Sequence, residues 1–507
     1  MDEDIQDVGR RVAKGAGWTV FMRFSVRAIG LVSTLILARL LVPGDFGLVA
    51  LATMLAGILS MVSGFNFSVF LIREPNLDRS HYDTAWTLAV LRGLIISILL
   101  AVGASFTADF FDEPRLRNII YALSAATAVG CFANVGIIDF QKSMNFRKDF
   151  QFFVSARIVS FLVTVSLAII LRNYWALVCG ILSGRLVRFL LSYWMHPFRP
   201  RPSLARAGEI LHFSKWMLAN NILGVANNRS DTFVIGKFLD AATLGLYSVA
   251  HEIATLASAE ILAPIHRALL PGLSTLTGDP RAMRRAFINS QAVIILIAMP
   301  ATAGIALVAD PLVRVALGEK WTAAIPLIQI LAIVGVMRVC SASTSSFILA
   351  TGRPQLLTIM AGSGAVISIL SLLWATANWG VIGAAWAVSA TAMFQLGLTY
   401  FILLRAYRIT PREILSSVWR PTAGCVMMSA AVTAIFWLWP HSDTATVLFL
   451  LLKLLLASAV GASFYVAVIL FLWKVSGAPN GAEISILKVL KKDSQERAVT
   501  PMYPNQR

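Results

Sequence analysis

The chain has 507 residues, 57% of them hydrophobic and only 14% charged, with a mean hydropathy of +0.74. A soluble protein of this length could not hide that much apolar surface, so the composition points to a polytopic membrane protein. The net charge of +17 comes from basic residues spread between hydrophobic stretches, as in a protein facing anionic lipid, and not from a single patch fit for nucleic acid.

A transmembrane helix needs ~20 mainly apolar residues. Stretches of that kind run, in chain order, over 16–38, 46–70, 84–108, 117–138, 151–171, 174–195, 213–236, 243–270, 286–308, 323–350, 356–377, 380–404, 419–440 and 446–473. The predicted fold is therefore all-α with about 14 transmembrane helices. Residues 1–15 are polar and mixed in charge, with no cleavable signal peptide evident. Cys131, Cys179, Cys340 and Cys425 lie in apolar runs without metal-like spacing and read as packing residues. No nucleotide-binding loop and no metal-ligand pattern occurs, so ATP is not the direct driver and no cofactor is expected.

The stretch KWMLANNILGVANNRSDTFVIGKFLDAATLGLYSVA, 215–250, is an echo of the first segment. Shifted back by 198 residues it lies on it without a gap: Trp216 on Trp18, Lys237 on Arg39, Leu239 on Leu41, Gly245 and Leu246 on Gly47 and Leu48, Ala250 on Ala52. The repeat spans an even number of segments, so both copies start on the same side and the repeat is parallel. This divides the chain into a cytoplasmic N-terminal segment (1–15), a six-helix N-lobe (16–195), a Pro- and Arg-rich cytoplasmic linker (196–212), a six-helix C-lobe (213–404), two further helices (405–474) and a cytoplasmic tail (475–507). With the N-terminus inside, the inner loops hold fifteen Lys and Arg against seven in the outer loops, which places both termini in the cytoplasm. Two parallel lobes with short loops suit a transporter that rocks one lobe against the other. A membrane polysaccharide polymerase or ligase would show a sizeable outer loop with fixed carboxylates. Here the first outer loop is about RLLVPGD, with Asp45 its single acid.

ILARLLVPGDFGLVALA (36–52) and DTFVIGKFLDAATLGLYSVA (231–250) resemble the paired signatures of the polysaccharide transporter family, within the multidrug/oligosaccharidyl-lipid/polysaccharide exporter superfamily. FFDEPRL (110–116), KSMNFRKDF (142–150) and NYWALVCG (173–180) resemble its connections between later helices. The resemblance covers roughly residues 10–475. It implies two six-helix lobes around a central cavity, with two extra C-terminal helices. It implies a flippase, not an enzyme, that carries a polyprenyl-diphosphate oligosaccharide from the inner to the outer leaflet of a bacterial inner membrane, for exopolysaccharide, capsule or O-antigen synthesis. Alternating access driven by a proton or sodium gradient or by membrane potential is part of that implication. Membrane lipid, a polysaccharide polymerase and a co-polymerase are the partners it admits. A multidrug or small-molecule exporter of the same superfamily is the alternative, and it calls for a more apolar or acidic cavity.

Such a cargo needs cations for its phosphates and hydrogen-bonding groups for its sugars. Arg23 and Arg27, one turn apart in the first segment, are the leading diphosphate contacts. Asn227, Asn228, Arg229 and Arg267 complete the substrate-binding set, with Asn220 and Asn221 beside them. Asp231 reads either as the ion-pair partner of Arg229 or as a carboxylate that couples transport, a role for which Glu252 and Glu260 compete. His251 and His266 read as hydrogen-bonded structural residues. Arg185 and Arg188 read as inner-end anchors of the sixth segment. Arg92, Arg157 and Arg338 lie in or near apolar segments without an assigned role.

Overall fold

The structure of the protein is a computed structural model. It describes residues 2–64, 67–74, 77–143, 145–276, 278–407, 409–439, 446–477 and 482–483; within helices the side chains of 2–16, 68–69, 73, 211–220, 222–223, 264 and 266–268 are excepted. Regular structure among the described residues is helical throughout. The long helices are α1 (Asp2–Leu40), α2 (Pro43–Val62), α3 (Arg79–Phe110), α4 (Arg115–Cys131), α5 (Phe146–Leu171), α6 (Trp175–Met195), α7 (Ala207–Phe238), α8 (Ala241–Ser274), α9 (Pro280–Leu307), α10 (Ile325–Ser341), α11 (Gln355–Tyr407), α12 (Pro411–Leu438) and α13 (Val447–Val475). Among the described residues ten helical spans are long and apolar enough to cross a membrane, or eleven if the bent pair Arg115–Cys131 and Val135–Lys142 is one span.

α11 has 53 residues. As one straight rod it would run about 80 Å, far beyond a hydrocarbon core of about 30 Å. Gly380, at φ 59° and ψ −144°, breaks it. The break reverses the chain: a Cβ on Gly383 would lie 2.1 Å from the carbonyl oxygen of Ala375, a residue a straight helix would carry two turns away. The positive φ, which a side chain resists, is the reason for glycine at 380.

Two compact units divide the chain. The first holds residues 1–249 with 316–321 and 368–384; the second holds 250–315, 322–367 and 385–507. In the first unit α5 packs on α6 and on α1, α3 on α4, and α7 along α2. Trp18 and Phe21 on α1 meet the ring of Phe150 on α5, each with centroids 5.2 Å apart. Ser97 and Ser124 join α3 to α4 by donating to each other's carbonyl oxygens at 3.0 and 2.8 Å, which satisfies two hydroxyls where water is absent. Trp321, fully buried, donates its indole N–H to Ala38 at 2.9 Å and takes the edge of Phe46.

The internal repeat appears in this unit as a contact between its own copies. A Cβ on Gly47 would meet the Ala241 carbonyl oxygen at 1.7 Å and the Gly245 nitrogen at 2.9 Å. A Cβ on Gly245 would meet the Pro43 carbonyl oxygen at 1.8 Å and the Gly47 nitrogen at 3.0 Å. Residues 198 apart thus touch reciprocally, as the patches of a two-fold interface do. Both glycines are needed because backbone meets backbone there. Asp45, expected only as a lone loop acid, is buried: one carboxylate oxygen accepts from the Val42 N–H at 3.2 Å, capping α2, and the other from the Tyr174 N–H at 3.0 Å.

The stretch between α6 and α7 is a docked strap rather than a loose linker, and helix resumes at Ala207. Side chains of α3 receive its backbone: Arg201 N–H donates to the buried Asp83 at 2.8 Å and Ser203 N–H to the half-buried Thr87 at 2.9 Å. The Asn134 amide donates to the Phe198 carbonyl at 2.6 Å. A chain segment laid against protein needs such partners for its backbone groups. His196 sits at the head of the strap, 3.4 Å from Asp139. Burial pushes its pKa below the ordinary 6.5, against the opposing pull of Asp139. In the unfolded chain the imidazole takes up its proton near 6.5, earlier than in the fold. The stability held by neutral His196 is therefore complete above that pH and drains away as pH falls toward the lowered folded value. His196→Asn should flatten the fall in melting temperature between about pH 6.5 and 5 relative to the parent; parallel melting curves would refute this role.

In the second unit α9 packs against α10, α12 and α13. Gln291 on α9 bridges the break after α10, giving its amide N–H to the Val339 carbonyl and accepting from the Ser343 N–H, both at 3.0 Å. The tail begins inside this unit: Ala482 joins the core with Met428 and Tyr465, and the buried Glu483 pairs with the half-buried Arg420 at 2.5 Å. The amphipathic piece of the tail ending KVLKK lies outside the described residues.

Candidate functional site

The chemistry of the first unit gathers in a cavity of about 540 Å³ between helices α3 to α6. Arg92, Arg185 and Arg188 stand in its wall. Among the described residues no aspartate or glutamate lines it; its other polar groups are Ser60, Thr127 and Asn134, and Trp86, Phe152 and Phe153 supply aromatic faces. Close helix contacts make the room. Gly93 sits against the Cys131 side chain, where a Cβ would come within 2.2 Å, so α3 and α4 run in close contact. Gly130 leaves space for the Arg185 stem. Cys131 is thereby a packing residue, as its sequence context suggests.

Arg185 lies midway along α6, ten residues from Trp175 and ten from Met195. At 1.5 Å per residue that is about 15 Å from either end, the middle of a membrane span. The inner-end anchor reading is corrected on this point. Its guanidinium donates to the Thr127 hydroxyl, and Arg188 donates to the Gly184 carbonyl at 3.3 Å. Arg92 keeps its Nε buried with no hydrogen-bond partner among the described residues. Arg188 is close enough to Arg185 and Arg157 for mutual repulsion. Arg157 in turn reaches over Gly30, one turn along α1 from Arg27: a Cβ there would touch its guanidinium at 2.9 Å. Cations such as Arg92, Arg185 and Arg188, held around one cavity at membrane depth with no acid in its lining among the described residues, cost a great deal unless an anion or water meets them.

The residues predicted from the sequence fall as follows. Arg23 is exposed and Arg27 half-buried, both on α1. Asn227 is half-buried and Asn228 and Arg229 are exposed on α7. Asn228 donates back to the Gly224 carbonyl at 2.7 Å, whereas Asn221 crosses to the Gly64 carbonyl at 2.9 Å, joining α7 to α2. Arg229 lies 3.8 Å from the position of a Cβ on Gly57. Asp231 does not pair with Arg229. Two residues apart on a helix they point to different faces. The Asp231 carboxylate instead accepts from the buried Tyr247 hydroxyl at 2.9 Å and from the Thr232 N–H at 2.7 Å. Glu252 is half-buried and Glu260 exposed on α8, in the second unit. The side chains of Arg267, His266 and Asn220 lie outside the described residues. The Arg92–Arg185–Arg188 wall is what the sequence reading missed, although the central place of Arg185 in the sixth segment was a signal.

A family profile described as "Polysaccharide biosynthesis protein" matches residues 36–326, more than half of the chain. The chain belongs to this family. The resemblance drawn from the five local motifs is thereby borne out. This polysaccharide biosynthesis protein is 24% identical over 420 residues to the lipopolysaccharide biosynthesis protein WzxC of Escherichia coli K12, covering 81% of this chain and 85% of the relative. It is 25% identical over 474 residues to the succinoglycan biosynthesis transport protein ExoT of Rhizobium meliloti 1021, covering 91% and 93%. Its fold is that of a solved lipid II flippase, MurJ in the inward closed conformation, with a TM-score of 0.73 at 12% identity over 90% of this chain and 98% of that one. In this fold the family's chain carries its arginine wall inside α3 to α6.

Proposed function

We propose that the protein is a flippase of the exporter superfamily that moves a lipid-linked saccharide across the bacterial inner membrane for surface polysaccharide synthesis. The observation that carries this reading is the cavity wall of Arg92, Arg185 and Arg188 with no carboxylate in the lining among the described residues, since a diphosphate-borne saccharide is an anion that must cross an apolar layer. The transport relative and the flippase fold support it. In this reading the chain crosses the membrane fourteen times, as two six-helix lobes (16–195 and 213–404) plus two helices within 405–474, with both termini cytoplasmic. Access alternates between leaflets. Arg23, Arg27, Arg229 and Arg267 contact phosphate, Asn227 and Asn228 contact sugar, and one of Asp231, Glu252 and Glu260 couples a proton or sodium gradient. Membrane lipid surrounds the carrier, and a polymerase and co-polymerase receive the cargo.

The cavity of about 510 Å³ in the second unit fits the lipid part of such a cargo. Leu296, Pro300, Val432, Gly461 and Tyr465 line it, an apolar surface suited to an isoprenoid chain. Cells depleted of the protein should lose surface polysaccharide and hold lipid-linked oligosaccharide in the inner leaflet. If that intermediate still reached the outer leaflet while polysaccharide was lost, the step would be polymerisation and the reading would fail.

A further inference from the structure

We propose that the arginine wall inside α3 to α6 is an oxyanion subsite that holds an anionic group of the cargo beside a sugar ring. The proposal rests on the flippase reading and names what this cavity holds. Three features of the wall lead to it. First, its charges among the described residues are all of one sign: Arg92, Arg185 and Arg188 line it, and no acid does. Planar guanidinium forks match the paired oxygens of a carboxylate or phosphate, and charge-assisted bonds of that kind are the strong ones.

Second, the wall is built before any ligand arrives. Arg185 is held by the Thr127 hydroxyl and Arg188 by the Gly184 carbonyl, while Arg92 keeps a buried Nε without a partner among the described residues. A buried donor left this way is a group awaiting an acceptor. Third, the rest of the lining is suited to sugar. Trp86 and Phe153 offer apolar faces to a pyranose ring, and the hydroxyl oxygens of Thr127 and Ser60 offer acceptors to its hydroxyls. The cavity volume, about 540 Å³, is of ligand size.

The shared chemistry is an oxyanion next to a sugar ring. It has two possible sources: an acidic substituent on the glycan, such as a uronate carboxylate, and the diphosphate of the carrier. Two forms of cargo separate them, a polyprenyl-diphosphate oligosaccharide with neutral sugars and one carrying a uronic acid. In reconstituted vesicles the Arg92→Gln/Arg188→Gln variant should lower transfer by about tenfold or more, the equivalent of one charge-assisted contact. Loss confined to the acidic cargo assigns the glycan, and equal loss on both assigns the diphosphate; either supports the subsite.

A second measurement does not depend on transfer. On the purified parent protein, modification of Arg92 by phenylglyoxal should be slowed several-fold by glucuronate or by inorganic pyrophosphate, as read by mass spectrometry. Unchanged transfer of both cargoes by a folded variant, or no protection by either anion, overturns the proposal. Protection without transfer in the parent would sink the flippase reading and leave the oxyanion site standing.

Discussion

Gly47→Val is expected to leave almost no folded protein in detergent extracts. The Cβ position at Gly47 is 1.7 Å from a backbone carbonyl oxygen, that of Ala241, and the reciprocal position at Gly245 is 1.8 Å from that of Pro43. Overpacking where side chains can shift costs about 1–3 kcal/mol. Here the obstacle is main chain on both sides, so relief requires α2 and α8 to move apart, and the cost should exceed that range. Even Gly47→Ala and Gly245→Ala should lower the melting temperature sharply. Because they press on one contact, the double alanine variant should be less damaging than the sum of the two singles. Gly103→Ala on α3, with nothing within 4 Å of its Cβ position, is the control; it should be neutral or slightly stabilising, by up to about 1 kcal/mol. Normal melting of Gly47→Val by fluorescence-detected chromatography would mean that the reciprocal contact does not form.

Gln291→Leu should be the next most damaging single change among those considered. Gln291 is 5% exposed and answers two backbone groups, the Val339 carbonyl and the Ser343 N–H, where α10 stops. Leucine fills similar space and supplies neither bond. The Val339 carbonyl keeps the Ala342 N–H at 3.3 Å, so the group left orphaned is the Ser343 N–H, and the loss should be about 1–3 kcal/mol. Inside a membrane span water is not at hand to substitute. Ile297→Ala on the same helix, at a side chain 45% exposed, should cost far less. Similar melting temperatures for the two variants would remove Gln291 from this role.

These residues also show which parts of the molecule could be read in advance. The repeat was legible because it is carried by identity at fixed spacing: Gly47 and Gly245 align at 198 residues and then prove to touch. Helix positions were legible because apolar runs of membrane length admit little else. The break in the 53-residue helix was legible as well: the predicted segments 356–377 and 380–404 part within two residues of Gly380, whose positive φ makes the turn. Gln291 gave only a weak signal, a lone amide in an apolar run, because its partners lie 48 and 52 residues further on.

The Pro- and Arg-rich linker was legible as a connection after the sixth segment, but its docking was not, because its anchors, Asp83, Thr87 and Asn134, belong to other segments. Asp231 could have been separated from Arg229 by helix geometry, but its actual partner, Tyr247, sits on the next helix. The arginine wall was hidden for the same reason. Arg92 lies on a segment distant in sequence from Arg185 and Arg188, and a count of basic residues near helix ends reads the latter two as inner-end anchors. Only the packing of α3 to α6 puts them around one cavity.

The most direct test of the central claim is transfer of a labelled polyprenyl-diphosphate oligosaccharide across the bilayer of vesicles holding the purified protein. The label is scored by an impermeant glycan-modifying enzyme on the outside, under a proton gradient, a sodium gradient or a potential. The flippase reading predicts transfer that requires the protein and responds to at least one of these gradients, falling about tenfold or more in Arg27→Ala, whose cation is placed at the diphosphate. Label that stays in its original leaflet under all three conditions, with folded protein present, would contradict it.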